Sequence, residues 1–188
     1  MQALKHLPNL LTATRIALSL PVALCILRQD YAWALAFGLI AGLTDALDGL
    51  AARALNAHSR LGAGLDAAAD KLLMFCVFLS LAQVGLLPWW LAGLVVGRDV
   101  VIVTGATAYR FLVGPFDFAP TGLSKLNMAV QVLFLVCILV DAMTPFLTTA
   151  TRFALVAAVA ITAVVSGVHY VLAWSRRARV SLREPGSS

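Results

Sequence analysis

Nine acidic residues occur in this 188-residue chain. Four of them, Asp45, Asp48, Asp66 and Asp70, fall within 26 positions. Asp45 and Asp48 are three apart, and Asp66 and Asp70 four apart; on a helix either spacing puts a pair on one face. Both pairs sit in segments otherwise made of Leu, Ala and Gly. A carboxylate ionised at membrane depth costs about 2.5–3.5 kcal/mol on the insertion scale, and four together repel one another. Ion pairs with Arg53, Lys71 and Arg98 are one way to hold such a cluster, but four gathered acids favour a cation stronger than an ammonium. A set of carboxylates without His or Cys suits a hard ion: magnesium, manganese or calcium. Four carboxylates can hold two of them, and two metals about 3.5–4 Å apart are the usual clamp on the attacking and leaving oxygens of phosphoryl transfer. Small residues surround the acids: Gly42, Gly49, Ala51, Ala52, Gly62, Gly64 and Ala67 to Ala69. Such residues let helices approach closely, and Gly49 and Gly62 also leave room for a nucleotide.

Composition identifies the elements that must carry these side chains. The chain is 61% hydrophobic and 12% charged, with a mean hydropathy of +0.92. A soluble domain has roughly 25% charged and about 45–50% apolar residues, so a water-soluble enzyme is excluded, as is a disordered chain. Six apolar runs, at 9–28, 31–55, 64–85, 88–112, 122–142 and 150–175, each approach the roughly 20 residues of a membrane helix. The expectation is therefore an all-α bundle of six transmembrane helices, forming one membrane domain over 1–180 with a solvated tail at 181–188. Pro21 lies within the first run, where a bundle tolerates a kink.

Basic residues orient the bundle. Lys5, Arg53, Arg60, Arg110, Lys125, Arg176, Arg177, Arg179 and Arg183 fall on the side of both termini, and only Arg28 and Arg152 on the other. That asymmetry places both termini in the cytosol, with the site at the cytosolic face of a bacterial inner membrane. The net charge of +5 then reflects cytosolic loops and anionic lipid headgroups and not nucleic acid. Cys25, Cys76 and Cys137 are far apart in apolar stretches, as small buried hydrophobes are. No cleavable leader is evident, since the first run contains Arg15 and lacks a small-residue cleavage site. Trp33, Trp89, Trp90, Trp174, His169 and Tyr170 fit interfacial belts. Asp30 and Asp141 are expected to face water on the side opposite the cluster.

Written out, the acidic region is Asp45-x2-Asp48-Gly49-x2-Ala52-Arg53-x8-Gly62-x3-Asp66-x3-Asp70. This string resembles the signature of the CDP-alcohol phosphotransferase family at all eight fixed positions, and the six-helix layout is similar over nearly the whole chain. The resemblance implies transfer of a phosphate-linked group from a CDP-alcohol to an acceptor hydroxyl, with release of CMP. It implies two divalent ions, Mg2+ or Mn2+, on Asp45, Asp48, Asp66 and Asp70, with Asp70 also taking the acceptor proton. Pro8, Asn9, Gly49, Ala52, Arg53, Ser59 and Gly62 match donor-contacting positions. Members of the family resemble one another in forming homodimers.

Three further fragments, Gly97-Arg98-Asp99-Val100, Ser124-Lys125-Leu126-Asn127 with Gln131, and His169-Tyr170, look like the cardiolipin-forming branch, which joins CDP-diacylglycerol to phosphatidylglycerol. The Asn9-to-Arg15 opening and the Asp70-Lys71 ending are shared with the branch that makes phosphatidylglycerophosphate from glycerol 3-phosphate. Met128 departs from the small polar residue of the cardiolipin-type pattern, so both acceptors stay open.

Arg98, Lys125 and Arg110 are the candidates for the acceptor phosphate. Arg98 lies deep in its helix, where an unpaired cation is costly; neighbours in a helix do not face each other, so it is expected to turn from Asp99 toward the acidic cluster. Lys125 and Arg110 lie near helix ends, where snorkelling is the other use; Arg15 and Lys71 fit either the site or packing. A divalent-cation transporter would also place acids within a membrane, yet acids are few toward the far side. A prenyl transferase uses Asp-rich helices at other spacings, and a scaffold gives no reason for four buried carboxylates.

Overall fold

In hydrocarbon each backbone N–H and C=O must be satisfied within the chain, and a continuous helix does this without help from neighbours. The apolar runs take that solution. The computed structural model describes the backbone of residues 7–55, 60–112 and 122–183, and the side chains of 14–44, 69–105, 107 and 122–173. Among the described residues the regular elements are six helices and no strand: α1 Leu7–Leu27, α2 Tyr31–Leu55, α3 Arg60–Gln83, α4 Trp89–Leu112, α5 Gly122–Met143 and α6 Thr149–Arg183. α1 to α5 have 21 to 25 residues, or about 31–37 Å of helix, against a hydrocarbon core of about 30 Å. α1 runs unbroken through Pro21, and α6 extends three residues into the expected tail.

Among the described residues, two helical segments are both long and apolar enough to cross a membrane on composition alone, Gly122–Met143 and Thr149–Ala173. Charged residues interrupt α1 to α4, among them Arg15, Asp45, Asp70 and Arg98. Large apolar side chains cover the outer surface: Leu20 is 63% exposed, Leu43 62%, Ile161 62% and Phe153 71%. Water would not tolerate so much contiguous apolar surface on a monomer, whereas lipid covers it without cost. The chain is a membrane protein.

Described loops are tight. α1 ends in a Schellman motif: the Asp30 N–H donates to the Cys25 carbonyl (2.8 Å) and the Gln29 N–H to that of Ile26 (2.9 Å), with Gln29 left-handed at φ 63°. α3 ends in the same way, the Leu86 N–H donating to Leu81 and the Gly85 N–H to Ala82, with Gly85 at φ 77°. Glycine adopts that geometry freely; glutamine does not. At the start of α6 the Thr148 Oγ1 accepts from the Thr151 N–H at 3.1 Å, an N-cap bond.

The helices gather into two compact units, residues 1–92 with 136–146, and residues 93–135 with 147–188. In the first, α1 packs against α2 and α3. Its inner stripe is Arg15, Ser19, Val22 and Ile26, spaced by four, three and four and at most 4% exposed. α2 contributes the buried Ala34 and Ala41, and α3 contributes Ala69, Leu73, Val77 and Leu81. Small residues on α2 let the backbones approach, which is where packing in lipid gains its energy. In the second unit three stripes converge: Val95 and Ile102 of α4, Asn127, Gln131 and Phe134 of α5, and Val159, Ala163, Ser166 and Tyr170 of α6.

Candidate active site

The acidic string divides between two helices of the first unit. Asp45, Asp48, Gly49, Ala52 and Arg53 lie on α2, and Gly62, Asp66 and Asp70 on α3. Asp45 and Asp48 follow Ala41 by four and seven residues, and Asp66 and Asp70 precede Leu73 and Val77 by seven. In sequence both pairs fall in the halves of α2 and α3 nearer the 56–59 connection. Asp70 is half-buried, as is Lys71. The side chains of Pro8, Asn9, Asp45, Asp48, Gly49, Ala52, Arg53, Gly62, Asp66 and Arg110, and the whole of Ser59, lie outside the described residues. Among the described residues no three His, Cys, Asp or Glu side chains gather as a metal site. Arg15 is 1% exposed on the inner stripe of α1.

The second unit holds a polar cluster built around Arg98 of α4. Its Nη1 donates to Asp99 Oδ1 at 2.5 Å. Its Nη2 donates to Ser166 Oγ of α6 at 2.5 Å and to Ser124 Oγ of α5 at 3.3 Å. The guanidinium carbon lies 5.9 Å from the centre of the Tyr170 ring, a cation–π distance. Gly167 lies beside the stem, where a Cβ would stand 3.4 Å from Arg98 Cγ, an ordinary contact. The expectation that Arg98 turns away from Asp99 is therefore corrected. The rule for helix neighbours concerns Cβ directions, and the long arginine side chain folds back across the turn to reach the adjacent carboxylate. With only 8% of the Arg98 side chain and 19% of that of Asp99 exposed, the attraction between them is weakly screened.

Two more residues complete this cluster. Asn127 and Gln131 lie three and seven positions after Ser124, on one stripe of α5. They are 2% and 4% exposed, yet Asn127 Oδ1 and Gln131 Nε2 make no hydrogen bond among the described residues. A buried polar atom left unsatisfied costs about 1–3 kcal/mol, so each of these asks for an explanation. Both residues were visible only as parts of a branch fragment; a polar position recurring on an apolar helix face was the signal for a role of their own. Lys125, by contrast, is exposed on α5.

One belt expectation and one water-facing expectation are also corrected. Tyr170 is 7% exposed beneath Arg98, although the neighbouring His169 is exposed and meets Tyr170 edge-on at 6.4 Å. Asp141 does not face water: it is 3% exposed, and its Oδ1 accepts the Phe146 N–H at 2.9 Å. A carboxylate at a helix end satisfies a loop amide that lipid or protein would otherwise leave bare.

Comparison with known proteins agrees with the acidic string. The family model for CDP-alcohol phosphatidyltransferase matches residues 5–174. The cardiolipin synthase (CMP-forming) / mitochondrial hydrolase fusion protein of Schizosaccharomyces pombe is 38% identical over 182 residues, covering 88% of this chain and 30% of that protein. The cardiolipin synthase (CMP-forming) of Rattus norvegicus is 38% identical over 143 residues, covering 68% of this chain and 47% of that protein. A chloroplastic CDP-diacylglycerol–glycerol-3-phosphate 3-phosphatidyltransferase 1 of Oryza sativa subsp. japonica is 37% identical over 105 residues, covering 56% of this chain and 32% of that protein. The chain thus spans half or less of the length of these relatives. With the family match running through five helices and most of the sixth, and the aspartate pairs on α2 and α3, the chain belongs to the CDP-alcohol phosphatidyltransferase family.

Proposed function

We propose that the chain transfers the phosphatidyl group of CDP-diacylglycerol to phosphatidylglycerol, forming cardiolipin and releasing CMP. The observation that carries this reading is the eight-residue acidic string, at its family spacing, on two adjoining helices of a family member. The choice of acceptor is supported by the Gly97-Arg98-Asp99 and Ser124-to-Gln131 fragments and by the names of the yeast and rat relatives.

The terminal hydroxyl of the acceptor glycerol attacks the phosphorus that carries diacylglycerol. The bond from that phosphorus to the bridging pyrophosphate oxygen breaks, and CMP leaves with its electron pair. Asp70 takes the hydroxyl proton, a task that suits a carboxylate beside strongly charged groups. Arg53 presents a planar fork to the donor phosphates, and Ser59 a hydroxyl. Gly49, Ala52 and Gly62 leave space for the nucleotide, and Pro8 and Asn9 contact the donor from α1. Arg98, Lys125 and Arg110 attract the acceptor phosphate.

The donor set fits a pair of Mg2+ or Mn2+ ions: four hard oxygen ligands, two from each helix, at helical spacings. Asp45, Asp48, Asp66 and Asp70 would hold them, and when bound they supply stabilisation of charge on the phosphoryl oxygens.

In this reading all six helices cross the bilayer, with both termini and the acidic ends of α2 and α3 at the cytosolic face of a bacterial inner membrane. Helix length and the asymmetry of basic residues support that topology. Residues 1–180 act as one membrane domain, which the family match through both compact units supports, and the chain works as a homodimer.

A second acceptor, glycerol 3-phosphate, is favoured by the Asn9-to-Arg15 opening and by the rice relative. Divalent-cation transport is disfavoured: of the acids toward the far side, Asp141 is engaged with Phe146 and Asp30 is exposed. The test is reconstituted full-length protein given radiolabelled CDP-diacylglycerol and one acceptor at a time. Cardiolipin from phosphatidylglycerol is the expected product. Phosphatidylglycerophosphate alone would establish the second acceptor, and ion accumulation without a lipid product would overturn the enzyme reading.

A further inference from the structure

Every polar partner described for Arg98 lies within the second unit, and one stripe of α5 runs from that cluster into the protein. Ser124 touches the guanidinium. Asn127 and Gln131 continue the stripe, 98% and 96% buried, each with one polar atom that has no hydrogen-bond partner among the described residues. Apart from Lys125, the large side chains on the outward faces here are apolar: Leu126 is 53% exposed, Val132 42% and Leu133 58%. Buried amides on the single inward face of such a helix, with an acceptor and a donor both unmet, are costly to keep for packing alone.

We infer that Asn127 and Gln131 form a hydroxyl-reading subsite for a glycerol phosphate headgroup, resting on the transferase reading above. The chemistry is complementary. An alcohol is donor and acceptor in one group, so it can give its proton to Asn127 Oδ1 and receive from Gln131 Nε2, which stand one helical turn apart. A glycerol phosphate whose terminal hydroxyl reacts retains one bystander, the secondary hydroxyl next to it. Arg98, the buried cation at the head of the same stripe, meets the phosphate. The amides then distinguish glycerol from an acceptor that lacks the middle hydroxyl. A site whose buried amides have no other partner rejects such an analogue, because binding it leaves them bare.

The same headgroup occurs in phosphatidylglycerol and in free glycerol 3-phosphate. The experiment therefore has two arms, each pairing the natural acceptor with its deoxy analogue: phosphatidyl-1,3-propanediol for the lipid and 3-hydroxypropyl phosphate for the soluble compound. The readout is the ratio of kcat/KM, glycerol over deoxy, in the full-length reconstituted protein. A ratio taken within one preparation does not depend on how much of the protein is folded. Wild type is expected to favour the glycerol form by roughly 10–100-fold in the arm whose acceptor it uses, and that arm identifies the source. Asn127→Leu and Gln131→Leu are expected to bring the ratio close to one through loss of the glycerol form, with the deoxy rate kept and the melting temperature unchanged or raised.

An unchanged ratio in both variants would overturn the assignment and leave a bridging water as the partner of the amides. Equal loss with glycerol and deoxy acceptors, together with a lowered melting temperature, would mark a packing role and overturn it as well. Failure of wild type to use any of the four acceptors would refute the transferase reading itself, and the subsite with it.

Discussion

The Arg98–Asp99 pair permits a quantitative test of how the second unit is held together. Arg98 spans three helices: it bonds Asp99 on α4, Ser124 on α5 and Ser166 on α6. Its side chain is 8% exposed and that of Asp99 19%, so solvent screens the pair little. Removing one member of a buried pair costs about 3–5 kcal/mol. Arg98→Ala should fall at the upper end of that range, because two serine bonds and the stacking on Tyr170 are lost with it. Asp99→Ala should fall at the lower end, because the guanidinium keeps its serines. The double variant should cost less than the sum of the two, with a coupling of about 2–3 kcal/mol. The assay is reversible unfolding of the purified protein in mixed micelles, read by far-UV circular dichroism. Arg98→Lys is the informative intermediate: a lysine keeps the charge and one contact but cannot fork to two serines, so it should recover only part of the loss. Additive single variants, or an Arg98→Ala protein within about 1 kcal/mol of wild type, would refute the view that this cation fastens the three helices.

Asp70→Asn should lower phosphatidyl transfer by at least about 10²–10⁴-fold while the circular dichroism spectrum is kept; retained turnover would remove Asp70 from the role of base. Chelation of divalent ions should abolish the wild-type reaction and added Mg2+ or Mn2+ restore it, as measured by lipid product, and turnover in chelator would refute the carboxylate reading. Asp141→Ala should destabilise the protein by about 1–3 kcal/mol, because the Phe146 amide loses a buried acceptor, whereas Asp141→Asn, which keeps an acceptor oxygen, should cost less; thermal unfolding separates the two. Gln29→Gly should stabilise by up to about 1 kcal/mol, since the left-handed residue ending α1 carries a side chain that glycine lacks; a lowered melting temperature would show that the side chain matters more than the backbone.

All six helices were legible in the sequence, although α3 begins four residues before the run read at 64–85 and α6 runs eight beyond the one read at 150–175. The run read at 31–55 is α2, and those read at 88–112 and 122–142 differ from α4 and α5 by one residue at one end. This accuracy has a physical source: a lipid environment imposes helix on any long apolar run, and Asp30, Pro88 and Gly122 mark the places where runs begin. The placement of the aspartate string on two helices was equally legible, because the apolar runs that carry it take helical backbone without tertiary information. Arg98 was harder. Spacing located it as an anomalous cation but could not choose its partner, since a long flexible side chain can reach groups that Cβ geometry assigns to another face. Tyr170 and Asp141 were misread for a related reason: position near a helix end suggests water, while a neighbouring helix or a returning loop can cover that end.

Composition and period alone thus determined that the chain is helical, lives in lipid and carries two carboxylate pairs at helical spacing on α2 and α3, because these follow from local hydrogen bonding and from the transfer of side chains into hydrocarbon. Folding alone decided which serines, ring and carboxylate surround Arg98 and left one amide atom each of Asn127 and Gln131 unsatisfied in the interior. Those outcomes depend on contacts between residues as many as 72 positions apart, and no local rule reaches that far.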